Sequence, residues 1–249
     1  MKAHRALSAG AVIGALIAVT SACAPQSSST TITVGAASSL TEVLVTIGED
    51  YMAANPEVTV TFSFAGSSAI AEQIRSGAPL DAFASAGTSS MEPLATEGLV
   101  TDVTAFATNT LMIATPPGNP GGVTGLADLP GATVLVCQEQ VPCGVAAAKL
   151  FELNGLEITP ASFEPDVVSV LGKIEADEAD AGIVYVTDAL AAGDSVTAVA
   201  FPESARAVNT YPIAVLKDAQ NPELAQKFVD LVTGAAGRTI LSAAGFANP

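Results

Sequence analysis

From residue 31 to its end, the chain alternates short apolar runs with longer amphipathic stretches, and this alternation limits the folds open to it. Apolar runs of about four to eight residues are typical of buried strands, and the longer stretches between most of them favour helices. Strands that alternate with helices predict βαβ units and a largely parallel sheet. The predicted strands comprise residues 31–34, 58–64, 81–85, 110–114, 133–136, 182–185, 197–201 and 211–216.

The length of this region predicts two lobes. Residues 31–249 exceed the size of most single domains, which commonly contain about 100–150 residues. The stretch 116–122, which is rich in proline and glycine, predicts a surface loop, and no linker of this composition divides the chain once into halves. The sequence contains no internal repeat.

The N-terminus carries a targeting segment. After a basic start, residues 9–19 form an apolar run that is shorter than the about 20 residues of a membrane span and has the layout of a secretory signal. The small residues before Cys23 resemble a bacterial lipobox, although Thr20 stands where such motifs usually have leucine. We therefore predict a signal peptide at 1–22 and, at 23–30, a lipidated cysteine with a flexible tether. An unmodified cysteine after a plain signal peptide is the alternative.

Loss of this segment changes the chemistry open to the chain. His4 is the single histidine, and seven basic residues then remain against 25 acidic ones, a net charge of −18. This balance argues against nucleic acid, which binds basic surfaces. Without histidine, no Ser-His-Asp, Cys-His or His-containing metal site can form. A binding protein is therefore favoured over an enzyme, and a carboxylate-dependent hydrolase is the enzymatic alternative.

Cys137 and Cys143 are the cysteines that follow Cys23. Outside the cell membrane, a pair this close in sequence is most simply a disulfide. It would join the end of a predicted strand to the start of the next helix, and because the closed loop is short we expect local stiffening more than global stability. Two cysteines supply too few ligands for a metal site.

At four places along the sequence a short apolar stretch runs into a polar turn and then into a helix, and at three of them that stretch is one of the strands given above. A helix start exposes unpaired N–H groups and the positive end of the helix dipole, which together favour an anion. In a parallel sheet the ligand lies at the carboxyl ends of the strands, where all four turns are expected, and none of them contains lysine or arginine. Every α/β protein has helix starts, so these alone do not establish a site. The predicted helices comprise residues 40–54, 69–75, 145–153 and 168–176.

Side chains at these helix starts have the spacing of caps. Ser39 and Glu42 match the S-x-x-E pattern of a capping box. Asp166 is predicted to cap the helix that follows it, and Asp188 is predicted to be a first-turn acid on the helix after Tyr185. Both acids are thus interpreted as structural residues.

At these turns the sequence resembles the ModA-type, molybdate-binding proteins of bacterial ABC importers, over residues 31–246. The resemblance rests on five stretches that occur together in one order along the chain. They are AASSLT at 36–41, FAGSS at 64–68, GAPLDAF at 77–83, VPCG at 141–144 and GIVYVTDA at 182–189.

This resemblance implies a periplasmic-binding-protein clamshell, an α/β fold in which each of two lobes is a mainly parallel sheet flanked by helices. Two crossing strands near 109–113 and 209–213 would join the lobes at a hinge. Lobe one would comprise residues 31–108 plus 211–249, and lobe two residues 109–210.

The family holds a tetrahedral oxyanion in the cleft through neutral donors, and the resemblance carries these over by position. Where this chain has cysteine in the third turn the family often has alanine, a change that a backbone donor tolerates. The implied donors are the hydroxyls and amides of Ser39 and Ser67, the amides of Cys143 and Val167, and the hydroxyl of Tyr185.

The resemblance also implies a function. The protein would be a monomeric lipoprotein on the outer face of the cell membrane, would need no cofactor, and would deliver molybdate or tungstate to an ABC permease. Receptors for sulfate, phosphate or a metal cation, and a carboxylate-dependent extracytoplasmic enzyme, are the alternatives. A site made of donors favours a fully deprotonated oxyanion over hydrogen phosphate, and the missing histidine counts against a metal-cation receptor.

Overall fold

The computed structural model describes residues 30–249, and the predicted signal peptide and lipidated Cys23 lie outside this range. The described chain contains ten strands and eight α-helices. The strands are β1 Thr30–Ala37, β2 Val58–Ala65, β3 Ala82–Ala84, β4 Val100–Asn109, β5 Leu111–Thr115, β6 Val134–Cys137, β7 Ser162–Glu164, β8 Ala181–Tyr185, β9 Thr197–Val199 and β10 Asn209–Leu216. The α-helices are α1 Thr41–Ala54, α2 Ser67–Arg75, α3 Thr88–Thr96, α4 Pro142–Asn154, α5 Val167–Glu175, α6 Val186–Ala192, α7 Pro222–Thr233 and α8 Ala235–Ala243.

The strands form two five-stranded sheets of similar design. The first sheet has the order β2-β1-β3-β10-β4, and the second has the order β7-β6-β8-β5-β9. In the first sheet β1 pairs in parallel with β2 and β3, while β10 runs antiparallel to β3 and β4. In the second sheet β6 pairs in parallel with β7 and β8, while β5 runs antiparallel to β8 and β9. Each sheet is therefore mainly parallel, as predicted, with one reversed strand.

The chain crosses between the sheets twice, and the two crossings lie side by side. The first crossing is the step from β4 to β5 at Thr110, and the second leads from β9 to β10 through a 3-10 helix, Pro202–Arg206. Asn109 and Asn209 are partners in the β4–β10 ladder, so both asparagines belong to the first sheet. A polar residue of the first sheet thus stands at each crossing.

Helices cover both faces of the first sheet. Alternate residues of a strand face opposite sides, and β3 shows this with Ala82 and Ala84 in the large core while Phe83 packs in a second core. That second core is formed with apolar residues of α2 and α3, and α1 and α7 pack on the other face. Within residues 30–249, no helix combines the length and apolarity that crossing a membrane requires.

The predicted helix starts agree with the observed ones to within three residues, because each has a clear local signal. Two strands escaped prediction. The five consecutive residues 101–105 of β4 are exposed, so the strand lacks an apolar run, and β7 is only three residues long. Strand β1 begins at Thr30, so the predicted tether at 23–30 overlaps the strand by one residue.

Candidate functional site

A small cavity between the two sheets gathers all five predicted site residues. Ser39 and Ser67 lie just beyond β1 and β2 of the first sheet, and Cys143, Val167 and Tyr185 lie beyond or at the end of β6, β7 and β8 of the second. These are the carboxyl ends of the parallel strands, where ligands of open α/β sheets bind. The cavity measures about 10 Å³, far below the roughly 300–1,000 Å³ of sites for drug-sized organic ligands. Its size suits a small ion.

The first turn differs from the capping box predicted for Ser39 and Glu42. A 3-10 helix, Ser38–Leu40, follows β1 and delays the start of α1 to Thr41, so Glu42 falls one position too early in the helix for a capping box. No side chain caps α1. The Ser39 Oγ instead lies 3.3 Å from the Tyr211 Oη. The capping-box prediction is therefore wrong.

The second turn places a buried hydroxyl at the cavity. Ser67 is the first residue of α2 and is only 1% exposed. Its Oγ accepts a hydrogen bond of 3.0 Å from the backbone N–H of Ala86, which follows β3. Because a serine hydroxyl has one proton and two lone pairs, this bond leaves the Ser67 proton available for a further acceptor.

The third turn contains a disulfide. The Cys137 and Cys143 sulfurs are 2.07 Å apart, and the bond joins the last residue of β6 to the second residue of α4. Both cysteines are buried. Since the Cys143 sulfur is used in this bond, the backbone N–H is the group that Cys143 can offer to a ligand.

The fourth turn is capped as the sequence predicted. Asp166 precedes α5, and its Oδ1 accepts a hydrogen bond of 2.8 Å from the Ser169 backbone N–H. The amide of Val167, the first residue of α5, belongs to the first turn, where helix N–H groups have no intrahelical partner. Val167 thus stands at a helix start whose dipole points its positive end at the cavity.

Tyr185 closes the site at the end of β8. Its side chain is 1% exposed, and its Oη lies 2.9 Å from the Asn209 Nδ2. Burial is the main reason that the pKa of Tyr185 is raised well above 10, with Tyr211 and Asp188 acting in the same direction. The hydroxyl therefore stays protonated at physiological pH and is able to donate.

Three residues behind the cavity escaped the sequence analysis. Tyr211 is completely buried and packs edge-on against Tyr185, with ring centroids 5.9 Å apart. Asn109 and Asn209 are also buried, and their amides contact the hydroxyls of Tyr211 and Tyr185 respectively. The signal that could have found the asparagines is their position, since each is a polar residue at one of the predicted crossings.

The site has negative charges nearby and no lysine or arginine in its lining. Asp188 is 7% exposed, and its Oδ2 accepts a hydrogen bond of 2.9 Å from the Tyr185 backbone N–H, which confirms its place in the first turn of α6. Burial raises the pKa of Asp188 to about 7, and Asp166 and Glu42 contribute in the same direction. Among residues 30–249, no group of three or more potential metal ligands of the His, Cys, Asp and Glu types lies together.

A larger groove of about 460 Å³ runs beside the cavity and shares Ser38 and Ser39 with it. Its walls come from α1, α5, α6 and the C-terminal end of α8. It does not include the starts of α2 and α4, so it lacks the convergence of helix N–H groups that marks the small cavity. The small cavity is therefore the better candidate for an anion site.

Comparisons with known proteins identify the family of this chain. Residues 32–247 match the family model described as "Bacterial extracellular solute-binding protein". The chain is 46% identical to the molybdate-binding protein ModA of Mycobacterium tuberculosis H37Rv, over 98% of both chains. The chain belongs to the ModA family of bacterial extracellular solute-binding proteins. A more distant ModA, that of Haemophilus influenzae, is 30% identical over 86% of this chain and 89% of the relative.

Solved structures of similar fold include two anion-binding proteins. The periplasmic molybdate-binding protein of Azotobacter vinelandii superposes on this ModA-family chain with a TM-score of 0.77 and 20% identity, over 88% of this chain and 99% of that one. The sulfate-binding protein SubI of Mycobacterium tuberculosis also gives a TM-score of 0.77, with 17% identity, over 88% and 87% of the chains. The predicted periplasmic-binding-protein fold is confirmed. At these identities the likeness concerns the fold and does not separate one oxyanion from another.

Proposed function

We propose that this protein is an extracytoplasmic receptor that captures molybdate or tungstate in the small cavity between its sheets and passes it to an ABC import permease. The observation that carries the proposal is the convergence of five residues with neutral donor groups, from the ends of five separate strands, on one cavity. The 46% identity to a ModA over nearly the whole chain supports the choice of molybdate.

The charge of the site supports a dianion. Helix starts and hydroxyls present aligned N–H and O–H dipoles, which stabilise an anion without a cationic side chain. Asp166 alone among the lining residues carries a carboxylate, and its Oδ1 already accepts from Ser169. Hydrogen phosphate carries a proton that would need an acceptor in the site, whereas molybdate and tungstate carry none at neutral pH.

Sulfate is the second candidate. It is also a tetrahedral dianion without a proton, and the sulfate-binding protein SubI matches the fold as well as the molybdate-binding protein does. The larger radius of molybdate and tungstate is the physical basis on which a closed site would separate them from sulfate.

The organisation of the chain fits such a receptor. We assign residues 1–22 to a signal peptide, Cys23 to a lipid anchor and residues 23–30 to a tether. Lobe one would be 31–108 plus 211–249 and lobe two 109–210, with rotation about the paired crossings closing the cleft. The protein would act as a monomer, without a cofactor and without a catalytic step of its own.

Isothermal titration of the soluble chain, residues 24–249, tests the proposal. We expect a tight one-to-one isotherm with molybdate and with tungstate, and no displacement by excess sulfate or inorganic phosphate. Binding heat with sulfate and none with molybdate would support a receptor function but show that molybdate is not the ligand. Absence of heat with all four anions would overturn the proposed function.

The Tyr185→Phe variant removes a hydroxyl from the cavity and should weaken molybdate binding. Its matched control is a tyrosine hydroxyl outside the cavity. The Tyr51 Oη donates to the Leu224 carbonyl at 3.2 Å and takes no part in the site. The Tyr51→Phe variant should bind molybdate like the parent, so that a loss of affinity in Tyr185→Phe can be assigned to the cavity and not to the removal of any buried hydroxyl.

A further inference from the structure

The three hydroxyls predicted as donors, those of Ser39, Ser67 and Tyr185, share one feature. Each lies within hydrogen-bond distance of a neutral group behind it, and that group is different in each case. The partner of Ser67 is the Ala86 N–H, that of Tyr185 is the Asn209 amide, and that of Ser39 is the Tyr211 hydroxyl.

We propose that Asn209, Asn109 and Tyr211 are positioning residues that fix Tyr185 and Ser39 as hydrogen-bond donors toward the bound oxyanion. This inference rests on the proposed function and deepens it, because it assigns the preference for a proton-free oxyanion to residues that do not themselves touch the ligand. Ser67 is fixed in the same way, but by a backbone N–H that no side-chain substitution removes.

The geometry around Asn209 determines which way its amide faces. The Nδ2 lies 2.9 Å from the Ala86 carbonyl oxygen and 3.4 Å from the Pro142 carbonyl oxygen. Carbonyl oxygens only accept, so the nitrogen must stand on this side and must donate. The same nitrogen lies 2.9 Å from the Tyr185 Oη, which therefore accepts. The single proton of Tyr185 is then left for another acceptor, and Tyr185 lines the cavity.

The amide of Asn109 is oriented in a similar way. Its Oδ1 accepts from the Thr110 backbone N–H at 2.9 Å, so its Nδ2 must face Thr187 and Tyr211. The Nδ2 lies 2.8 Å from the Thr187 Oγ1 and 3.5 Å from the Tyr211 Oη. The Tyr211 oxygen thus accepts on this side and can give its proton to another group.

Ser39 is the next member of this chain of hydroxyls. The Tyr211 Oη lies 3.3 Å from the Ser39 Oγ, and either oxygen could in principle donate. In the proposed arrangement Asn109 donates to Tyr211, and Tyr211 in turn donates to Ser39. The Ser39 proton then remains for the oxyanion, as do the protons of Tyr185 and Ser67.

The two asparagines also connect this arrangement to closure of the cleft. Asn209 belongs to the first sheet and contacts Ala86 beyond the same sheet, while Pro142 and Tyr185 belong to the second-sheet side. Asn109 likewise contacts Thr187 of α6 from the first sheet. In the present arrangement of the sheets these bonds join the two sides of the cleft, so the proposed positioning would couple the donor directions to closure.

Double-mutant cycles test whether the positioning residues act through the hydroxyls. Tyr211→Phe removes one oxygen and keeps the ring packed against Phe106, Tyr185 and Phe246. We expect this variant to weaken molybdate binding about 3- to 10-fold, the scale of one neutral hydrogen bond. In a Ser39→Ala background the same substitution should have almost no effect, because the group through which it acts is gone.

Asn209→Asp provides a second test, since it replaces the donating amide nitrogen by a carboxylate oxygen in a side chain of the same shape. The Tyr185 proton would turn to the new carboxylate, and the Tyr185 oxygen would face the cavity as an acceptor. We expect molybdate affinity to fall by about 10-fold or more, and the ratio of molybdate to inorganic phosphate affinity to fall with it. In a Tyr185→Phe background this change in ratio should vanish.

The outcomes separate this inference from the proposed function. Failure of the parent chain to bind molybdate would overturn the function itself. A parent that binds, with Tyr211→Phe equally harmful whether or not Ser39 keeps its hydroxyl, would overturn the inference and leave the function standing. Should Asn209→Asp fail to fold, as judged by circular dichroism, the Tyr211–Ser39 cycle alone decides. Tyr51→Phe again serves as the control and should leave both affinities unchanged.

Discussion

Gly66 lies against the carbonyl oxygen of Pro165, although the two residues follow strands of different sheets. A β-carbon on Gly66 would stand well under 3.0 Å from that oxygen. The backbone of Gly66, with φ −58° and ψ 137°, is open to any residue. The glycine is therefore required by the approach of the two sides of the cleft and not by its own conformation.

We expect Gly66→Ala to weaken molybdate binding by about 10-fold or more, because overpacking a close contact typically costs about 1–3 kcal/mol and this contact joins the two sides of the proposed cleft. The unfolding temperature without ligand should stay close to that of the parent. Titration calorimetry and thermal unfolding measure the two quantities. Parent-like affinity would show that the backbone on the two sides of this contact can move apart enough to accept the methyl group.

Gly172 offers a matched control for that substitution. It lies inside α5, and a β-carbon there would meet no atom within 4 Å. Gly172→Ala should raise the free energy of unfolding by about 0.5–1 kcal/mol, since alanine is the better helix former, and should leave affinity unchanged. A fall in affinity in both variants would point to a general sensitivity to added methyl groups.

Ser39 and Ser67 should differ in what their hydroxyls do for the fold. Ser39→Ala should weaken binding by about 1–3 kcal/mol with little change in stability, because Ser39 caps no helix. Ser67→Ala should weaken binding and also lower the free energy of unfolding by about 1–3 kcal/mol, since the Ala86 N–H loses its acceptor. Chemical denaturation of both variants without ligand provides the comparison, and equal stabilities would contradict it.

The stability of the protein should depend on pH through Asp188. Its pKa of about 7 in the folded chain exceeds the usual value of 3.8, so the folded state binds the proton more tightly than the unfolded state. The stabilisation is then complete below about pH 4 and is lost as pH rises to about 7. Asp188→Asn should remove this decline and be the more stable protein above pH 7.

Urea denaturation from pH 4 to pH 8 isolates that contribution as the difference between parent and Asp188→Asn. The asparagine oxygen can still accept from the Tyr185 N–H, so the first turn of α6 keeps its hydrogen bond. The difference should grow with pH across this window and then level off. A difference that is constant with pH would mean that Asp188 is ionised in the folded protein as readily as in the unfolded one.

The disulfide should contribute to stability more than to affinity. Replacing Cys137 and Cys143 together by alanine removes a short loop closure, and the chain-entropy account predicts a loss of about 2 kcal/mol. Affinity for molybdate should remain within about 3-fold of the parent, because the Cys143 backbone N–H is kept. Loss of binding in the double variant would instead show that the bridge holds the start of α4 in position.

The parts of this protein that the sequence predicted are those that neighbouring residues determine. Apolar runs predicted eight of the ten strands of the described chain, and helix starts followed from polar turns such as the one that Asp166 caps. The resemblance to ModA proteins then brought five of these positions to one site, and all five line one cavity.

The errors have a common physical origin in contacts between distant parts of the chain. Ser39 has the spacing of a capping box with Glu42, but its hydroxyl lies beside Tyr211, 172 residues away. Strand β4 has little apolar character of its own and is held by pairing with β10, which comes some hundred residues later. Local patterns carry no information about such partners.

The sequence by itself thus determined the alternation of strands and helices, the positions of the helix starts and the absence of histidine after His4, since each depends on residue types in a short window or on a count. Only the tertiary structure decided that one strand in each sheet is reversed, that Gly66 meets Pro165, and that Asn209 faces Tyr185. These relationships join residues far apart in the chain, and they exist because two sheets pack with the carboxyl ends of their parallel strands toward one cavity.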